Sequence, residues 1–470
     1  MLFMSDRRGY TPTIGLEIHA ELKTKTKMFC SSRNNPDETR PNVNTCPVCL
    51  AHPGTLPVIN KEAVRHVLRV GAAVGGELAD YTEFDRKSYF YPDIPKGYQI
   101  SQYEYPLVKG GSLNDIAITR IHLEEDTARS THQGDKSLVD FNRAGVPLME
   151  LVTEPVIHTA SDAGDFAREL QLLLRTLGAG EANLEKGEMR VEANISVSKD
   201  DTLGTKVEVK NLNSFKAVEK AIEYEIDRHI ALLEKGEKVI QETRGWNEDT
   251  GQTFSQRLKE GSADYRYFPD PDLPKLRLSE IPECMPEAIQ KGLPELPWQR
   301  RARYESTYHM KSADSKFVVS DAKRIRFIES VLILLSEKEE YVVAINYFVS
   351  DLKGEEGKVT PDAYAKLVRM LVANKISSRG GKDILSILKE EEGGDPEVIA
   401  EEKNLLQISD PEALREVVRG MLKEEETVVA EYKGGKESSL QYLIGKGMKA
   451  TKGAGNPSTI RDLILEEVGK

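Results

Sequence analysis

Two segments of the chain alternate acidic and apolar residues in a way that could gather several carboxylates around one cation. Residues 13–22 place Glu17 and His19 on one side of a strand and apolar side chains on the other. Residues 189–198 repeat the alternation, with Glu192 on the polar side. The pattern predicts strands that bury one face and use the other for chemistry.

A third strand-like run, residues 116–125, ends in the carboxylate pair Glu124 and Glu125. Carboxylate ligands with a single imidazole suit magnesium or manganese better than zinc or copper. Close carboxylates repel one another unless a cation lies between them. The candidate magnesium ligands are Glu17, His19, Glu124 and Glu192. The alternative is that each is a solvated residue on an exposed strand face.

The chain contains no glycine-rich phosphate loop of the Walker type and no dinucleotide fingerprint after a strand. Any ATP chemistry must therefore use a different scaffold. Arg190, Lys206 and Lys210 fall at polar strand positions and could balance phosphate charge. Pairing with neighbouring glutamates across the sheet is an equally good interpretation.

Three cysteines, Cys30, Cys46 and Cys49, resemble part of a zinc ribbon. A structural zinc normally needs four ligands, and His52 could be the fourth. Ser32 stands where a Cys-x-Cys partner would be expected. The spacing fits either a zinc site or a set of buried, reduced thiols.

Aromatic and basic residues are interleaved in residues 84–93 and again in residues 264–270. Such interleaving can stack bases and bind phosphates in single-stranded RNA ends. The alternative is an ordinary packed loop, in which tyrosine and arginine are also common.

The elements that must position these groups indicate an α+β fold with a largely antiparallel sheet. Three N-terminal helices have candidate caps at Asn60, Ser161 and Ser214. Four prolines between residues 282 and 297 predict a domain boundary, because the strand signals nearly vanish after it. Helical segments are expected near residues 312–335, 361–374, 395–404 and 410–424. The predicted divisions are a cradle domain at 1–290, an all-α helical domain at 291–405 and a small helical tail at 406–470.

The composition of the chain argues against several classes of protein. The 470 residues carry 65 basic and 77 acidic side chains, a formal net charge of -12, which argues against a protein that coats DNA. No run of 18 apolar residues and no signal-peptide core occurs, so we expect a cytoplasmic protein without a membrane span. Four cysteines fit a reducing compartment.

Residues 139–152, Val-Asp-Phe-Asn-Arg-Ala-Gly-Val-Pro-Leu-Met-Glu-Leu-Val, resemble the signature of the B subunit of the aspartyl/glutamyl-tRNA amidotransferases. Further motifs agree in the order that this family shows. They are residues 14–19, 84–92, 124–126, 207–215 and 264–269. The resemblance covers essentially the whole chain. A domain-sized insertion typical of the archaeal relative with an asparaginase-like partner is not found.

The resemblance implies a ligase that uses ATP to activate the side-chain carboxylate of Asp or Glu misacylated onto tRNA(Asn) or tRNA(Gln). Ammonia then converts the activated acyl group to the amide. It implies a heterotrimer in which a glutaminase-type A subunit supplies ammonia from glutamine and a small C subunit joins the two large chains. The choice between Asp-tRNA and Glu-tRNA stays open, because it depends on the misacylating synthetase of the cell.

The resemblance also implies roles for individual residues. The catalytic residues would be Glu17, His19, Glu124 and Glu125, with Glu125 near the route of ammonia. Weaker candidates for ATP, substrate or ammonia contacts are Lys87, Tyr89, Tyr91, Arg190 and Lys210. Candidate tRNA contacts in the tail are Lys436, Lys446, Lys449 and Lys452. Zinc-bearing members tend to carry Cys-x-Cys where this chain has Cys30-Ser-Ser32, which leaves zinc binding open.

Two other functions also fit the sequence. One is a non-catalytic tRNA-binding scaffold whose acidic cluster is a relic. The other is a free-standing metal hydrolase, which would turn over substrate without tRNA.

Overall fold

The computed structural model describes residues 7–258, 265–391, 393–407, 411–451 and 455–469. Predicted tRNA contact Lys452 and the first residue of the 264–270 segment lie outside the described residues. The chain divides into two compact units, Met1–Leu296 and Pro297–Lys470. Within the described residues, no helix is long and apolar enough to cross a membrane.

Strands occur in the first unit. They are β1 (Thr11–Glu21), β2 (Glu77–Leu78), β3 (Tyr81–Thr82), β4 (Asp85–Ser88), β5 (Tyr98–Ser101), β6 (Val108–Lys109), β7 (Ser112–Leu113), β8 (Ile116–Glu125), β9 (Arg129–Gln133), β10 (Lys136–Asp140), β11 (Pro147–Thr153), β12 (Met189–Ser198), β13 (Val207–Leu212), β14 (Glu242–Asn247), β15 (Gln252–Leu258), β16 (Phe268–Pro269) and β17 (Leu276–Arg277). The three strands expected at residues 13–22, 116–125 and 189–198 are β1, β8 and β12, so these predictions are confirmed.

A ten-stranded sheet forms the centre of the first unit, in the order β15-β14-β13-β12-β1-β11-β8-β6-β2, with β7 beside β8. Among these described strands, β13 and β14 are parallel and the other pairs are antiparallel. Alternation along β1 buries Ile14, Leu16 and Ile18 completely. The α+β fold class with a largely antiparallel sheet is therefore confirmed.

Three long helices pack against this sheet: α1 (Lys61–Ala73), α2 (Ala160–Thr176) and α3 (Phe215–Glu234). The side chains of Asn60 and Ser214 accept hydrogen bonds from the first-turn amides of α1 and α3, as predicted. The prediction of Ser161 as the cap of α2 is wrong. Thr159 caps that helix, because its hydroxyl accepts from the Asp162 amide and leaves Ser161 inside the first turn.

A smaller sheet, in the order β16-β4-β5, lies beside β8. Its strands come from residues almost 200 positions apart, and ion pairs hold them together. Arg86 on β4 contacts Asp270 at 2.9 Å and Asp272 at 2.7 Å. Asp85 accepts the amide hydrogen of Tyr103 at 2.8 Å. The two segments in which aromatic and basic residues are interleaved therefore pair in one small sheet.

Helices follow from residue 286 onward. They are α4 (Pro286–Lys291), α5 (Pro297–Tyr308), α6 (Ser312–Val319), α7 (Ala322–Leu332), α8 (Lys338–Ser350), α9 (Pro361–Val372), α10 (Ser378–Glu390), α11 (Pro396–Glu402), α12 (Pro411–Glu424), α13 (Glu426–Lys433), α14 (Ser438–Ala450) and α15 (Pro457–Gly469). Two short 3-10 turns precede them, Leu278–Glu280 and Pro282–Cys284.

The helical character expected after the proline-rich stretch is confirmed, with one difference. The segment predicted near 312–335 is two helices, α6 and α7, because Asp321 caps the second one. The last four helices share a hydrophobic core in which Leu414, Leu443 and Ile464 are fully buried. The division into three domains at 290 and 405 stays a prediction.

Candidate active site

Cross-strand register gathers acidic and histidine side chains on one face of the central sheet. Glu17 on β1 faces Glu192 on β12, and His19 faces Glu150 on β11. Glu150 in turn faces His122 on β8. Since neighbouring strands are about 4.8 Å apart, residues that are distant in sequence become direct neighbours.

His19 lies at the centre of this group. Its Nε2 is 3.4 Å from both Glu124 Oε1 and Glu150 Oε2. Burial alone would lower the pKa of His19, but the two carboxylates outweigh it and raise the pKa well above the usual range. His19 Nδ1 is buried and has no hydrogen-bond partner among the described residues.

Glu150 is shared between two histidines, because His122 Nε2 also lies 3.3 Å from its Oε2. Burial would raise the pKa of Glu150, yet His122 and His19 together hold it well below the usual range. Arg120 adds a longer contact of 3.7 Å. Glu150 is therefore a buried carboxylate that stays ionised.

A second acidic group adjoins the first. Ligand atoms of Glu17, Glu192 and Glu208 come within 4.8 Å of one another, and Lys210 Nζ lies 2.7 Å from Glu192. Burial, followed by the charges of Glu150 and Glu192, raises the pKa of Glu17 to about 7. Without a further cation, the cluster holds part of its charge only at a free-energy cost.

Members of both groups line a cavity of about 230 Å³, which we call the cradle cavity. Its walls include Glu17, His19, Lys87, Tyr89, Glu124, Arg190, Glu192, Lys210 and Tyr265. Arg190 pairs with Asp126 at 3.1 Å and Lys210 with Glu192, so two of the three basic side chains predicted to balance phosphate also pair with carboxylates. The third, Lys206, lies just before β13, is exposed and is not part of the cavity wall. Burial lowers the pKa of Lys87, but Glu124 and other neighbours raise it above its ordinary value.

The carboxylates and histidines at and next to the cradle cavity form donor sets that fit a hard divalent cation. Glu17, His19 and Glu150 present ligand atoms within 4.8 Å of one another, as do His122, Glu124 and Glu150. Carboxylate oxygens with one or two imidazoles suit magnesium or manganese. Burial raises the pKa of Glu17 most, and the nearby carboxylates of Glu150 and Glu192 raise it further, so a bound cation would favour the ionised form of this side chain.

Glu125 points away from its neighbour Glu124, because successive residues of a strand face opposite sides. Its carboxylate pairs with Lys96 Nζ and accepts the Ile100 amide hydrogen at 2.9 Å. With Lys96 it lines a second cavity of about 220 Å³, which also contacts Cys30 and Cys49. The structure therefore separates Glu125 from the other predicted catalytic residues.

The three predicted zinc ligands Cys30, Cys46 and Cys49 do come together, with sulfur atoms within 4.8 Å; we call them the thiol cluster. His52 is exposed and lies outside this group. A hydrogen bond from Cys30 and the charge of fully buried Lys27, 3.7 Å away, lower the pKa of Cys49 to about 4 despite its burial.

Among the described residues the thiol cluster offers three metal ligands and a buried ammonium. A structural zinc site is closed by four ligands. Ser32 Oγ lies 3.7 Å from Cys49 Sγ at the place of the missing thiol. These residues do not complete a four-ligand zinc site, and zinc has no part in the function proposed below.

The three predicted tRNA contacts that the structure describes lie on α14 or just before it. Lys436 pairs with Glu431 at 2.8 Å, and Lys446 pairs with Glu425. Lys449 is exposed. A contact with tRNA stays a prediction for all three.

Sequence reasoning missed Glu150, His122 and Glu208. A period-2 rule could have found the last two, because His122 lies two residues before Glu124 and Glu208 two before Lys210. Glu150 follows apolar Leu148 and Met149 in a nearly continuous buried strand. Its position between two histidines depends on the pairing of three strands.

Two family models match the chain. The model described as the GatB/GatE catalytic domain covers residues 12–282, and that described as the GatB domain covers residues 337–468. The first therefore matches more than half of the chain and includes every residue that lines the cradle cavity.

Curated relatives match along nearly the full length. The B subunit of the aspartyl/glutamyl-tRNA(Asn/Gln) amidotransferase of Thermus thermophilus is 42% identical, over 98% of this chain and 99% of that protein. The protein of the same name from Persephonella marina is 41% identical, over 97% and 99%. That from Caldanaerobacter subterraneus is 42% identical, over 98% and 100%.

Proposed function

The chain belongs to the GatB/GatE family of amidotransferase subunits, and on that premise we propose that its cradle cavity phosphorylates a tRNA-linked side-chain carboxylate and then receives ammonia. The substrate would be Asp-tRNA(Asn), Glu-tRNA(Gln) or both. The observation that carries the proposal is a cluster of carboxylates and histidines, several of which line one cavity together with basic side chains.

Transfer of a phosphoryl group from ATP to a carboxylate brings two anions together. When bound, magnesium would neutralise this charge and hold the reacting groups in line. Glu17, His19, Glu124 and Glu192 would hold it, with Glu150 as a further ligand or as the group that orients both histidines.

Basic side chains at the rim of the cradle cavity would bind the phosphates. Lys87, Arg190 and Lys210 line the cavity, and the neighbouring carboxylates keep all three charged. Fixed charges in a partly closed site stabilise developing negative charge better than water does. The pairing of Arg190 with Asp126 and of Lys210 with Glu192 would also keep these two side chains oriented before ATP binds.

A polar route for ammonia is supported by the positions of three cavities. A small cavity of about 20 Å³ shares Lys96 and Glu125 with the cavity beside the thiol cluster. It shares Gln99, Asp126 and Thr127 with the cradle cavity. Glu125 would lie at the point where ammonia passes from one side of β8 to the other.

The relatives are named as B subunits, which supports a complex with further subunits. We propose a glutaminase-type A subunit as the source of ammonia and a small C subunit, in a heterotrimer acting in the cytoplasm. ATP and magnesium are the proposed cosubstrate and cofactor. The tail, through Lys436, Lys446 and Lys449, would contact tRNA.

The test combines the assembled complex with charged tRNA, magnesium and ATP labelled in the γ-phosphate. We expect ADP formation that requires charged tRNA, and amide formation once glutamine or ammonia is added. Separate assays with Asp-tRNA and Glu-tRNA identify the amino acid used. Absence of tRNA-dependent ADP formation in a folded complex would leave the chain as a tRNA-binding scaffold, and turnover without tRNA would favour a hydrolase.

A further inference from the structure

Five tyrosines form a continuous series of ring contacts whose middle members lie in the wall of the cradle cavity. We call this series the tyrosine ladder. Its members, in spatial order, are Tyr91, Tyr89, Tyr265, Tyr267 and Tyr103. The sequence segments that supply them are far apart and are joined by the pairing of β16 with β4.

The two ends of the ladder are stacked pairs with exposed outer rings. Tyr89 and Tyr91 stack with centroids 4.8 Å apart, and Tyr103 and Tyr267 stack at 4.4 Å, both at an interplanar angle of 17°. Tyr91 is 53% exposed and Tyr103 is 49% exposed. A tyrosine usually buries its apolar ring, so exposed stacked rings offer faces to a further planar group.

The middle of the ladder faces the reacting groups. Tyr89 and Tyr265 line the same cavity as Glu17 and Glu124. Lys87 Nζ lies 4.8 Å from the centroid of the Tyr265 ring, which places a cation on one side of it. Arg266, between the two ladder residues Tyr265 and Tyr267, is exposed.

We propose that the tyrosine ladder binds the single-stranded 3′ end of the charged tRNA, with the terminal adenine stacked on Tyr89 or Tyr265. This inference rests on the proposed function. It adds a binding site that lies beside the phosphorylation chemistry and is separate from the tail.

Substrate chemistry favours this occupant. The carboxylate to be activated belongs to an amino acid esterified to the terminal ribose, so the terminal base must lie within one nucleotide of the cradle cavity. Single-stranded RNA ends are bound by stacking on aromatic rings with basic residues beside the backbone. A ladder of five rings is longer than one base requires, which fits several successive unpaired nucleotides better than the single adenine of ATP.

The direct test uses uncharged tRNA in which 2-aminopurine replaces the terminal adenine, mixed with the assembled complex. Stacking quenches the fluorescence of this base. We expect quenching with the wild-type protein and with Tyr89→Phe, which keeps the ring. Tyr89→Leu and Tyr265→Leu should lose most of the quenching and raise the KM for charged tRNA by about tenfold, the effect of losing one stacked base.

Tyr105→Leu is the matched control, because Tyr105 is also exposed but contacts Tyr81 outside the ladder. The complex with this variant should quench the fluorescence of 2-aminopurine as strongly as the wild type does. Tyr91→Leu removes a half-exposed ring and provides a third ladder variant with little risk to folding; reduced quenching is expected. Normal quenching by Tyr89→Leu and Tyr265→Leu, or none by the wild type, would overturn the proposal. A raised KM for ATP with tRNA quenching intact would assign the rings to ATP instead.

Failure of this proposal can be distinguished from failure of the proposed function, because uncharged tRNA needs no turnover. A complex that forms ADP with charged tRNA but does not quench would refute the ladder alone. A complex that quenches but forms no ADP would refute the phosphorylation role alone.

Discussion

Charged side chains are buried in the cradle cavity, whereas the charged side chains of an ion pair in the tail are exposed. In the cavity, Glu124 is 2% exposed and His19 contacts two carboxylates. In the tail, the Lys436–Glu431 pair has side chains 59% and 44% exposed. Burial of like charges is costly, whereas exposed ion pairs contribute little to stability. We therefore expect a charge removed from the cavity to have a larger effect than a charge removed from the tail.

Glu124→Gln tests the cradle cavity, where we expect the largest effect. Loss of one buried carboxylate should reduce amide formation by about 10²–10³-fold, the effect of removing one preorganised charged group from a reacting centre. Binding of charged tRNA should stay within a few-fold, since Glu124 lies in the cavity and not in the tail. Initial rates and filter binding measure the two effects.

Glu77→Gln is the matched control for that experiment, because Glu77 is exposed on β2 at the edge of the same sheet. It should retain wild-type rates. Full activity of Glu124→Gln would remove this residue from the mechanism.

Magnesium binding should depend on pH through Glu17. Burial and two neighbouring carboxylates raise its pKa to about 7 in the metal-free protein. Below this value the cation must displace a proton, so its affinity should fall about tenfold per pH unit, and above it the dependence should flatten. Calorimetry in two buffers of different ionisation enthalpy measures the released proton.

The same pH dependence should appear in the thermal stability of the protein with magnesium. Magnesium should raise the Tm more on the alkaline side of this pKa than on the acid side, because tighter binding to the folded state stabilises it more. Glu17→Gln should weaken binding and abolish the proton release. Equal affinity on both sides in the wild type would show that Glu17 is not a ligand.

Lys96→Met tests whether the Lys96–Glu125 pair belongs to the ammonia route and not to the cradle cavity. Glutamine-supported amide formation should fall by roughly tenfold, the equivalent of one charge-assisted hydrogen bond. ADP formation with charged tRNA should change less, since Lys96 does not line the cradle cavity. A fall in both rates to the same extent would place Lys96 in the phosphorylation step.

The smallest effects are expected from the tail. Lys449→Ala should weaken tRNA binding a few-fold and lower the slope of log K against log salt by about 1, because one phosphate contact is lost. Truncation near residue 405 should raise the KM for charged tRNA.

The control for Lys449→Ala is Lys311→Ala, because Lys311 is another exposed lysine of the second unit. An unchanged salt slope would count against a phosphate contact at Lys449.

Sequence patterns predicted much of the fold where the signal is local. The caps Asn60 and Ser214 and the strands β1, β8 and β12 follow from hydrogen-bonding side chains and period-2 alternation. The cap of α2 was misplaced because Thr159 and Ser161 carry equivalent hydroxyls two positions apart. The break between α6 and α7 was missed because apolar residues occur on both sides of Asp321.

By itself, the sequence determined which faces of the strands are polar and that Glu17, His19, Glu124 and Glu192 lie on them, because side-chain direction follows from the local strand period. Only the tertiary structure decided which of these groups touch. Glu150 lies between His19 and His122, Glu125 faces a different cavity from Glu124, and the tyrosine ladder joins distant segments. The physical reason is that cross-strand register is a long-range choice, fixed by packing of the whole sheet.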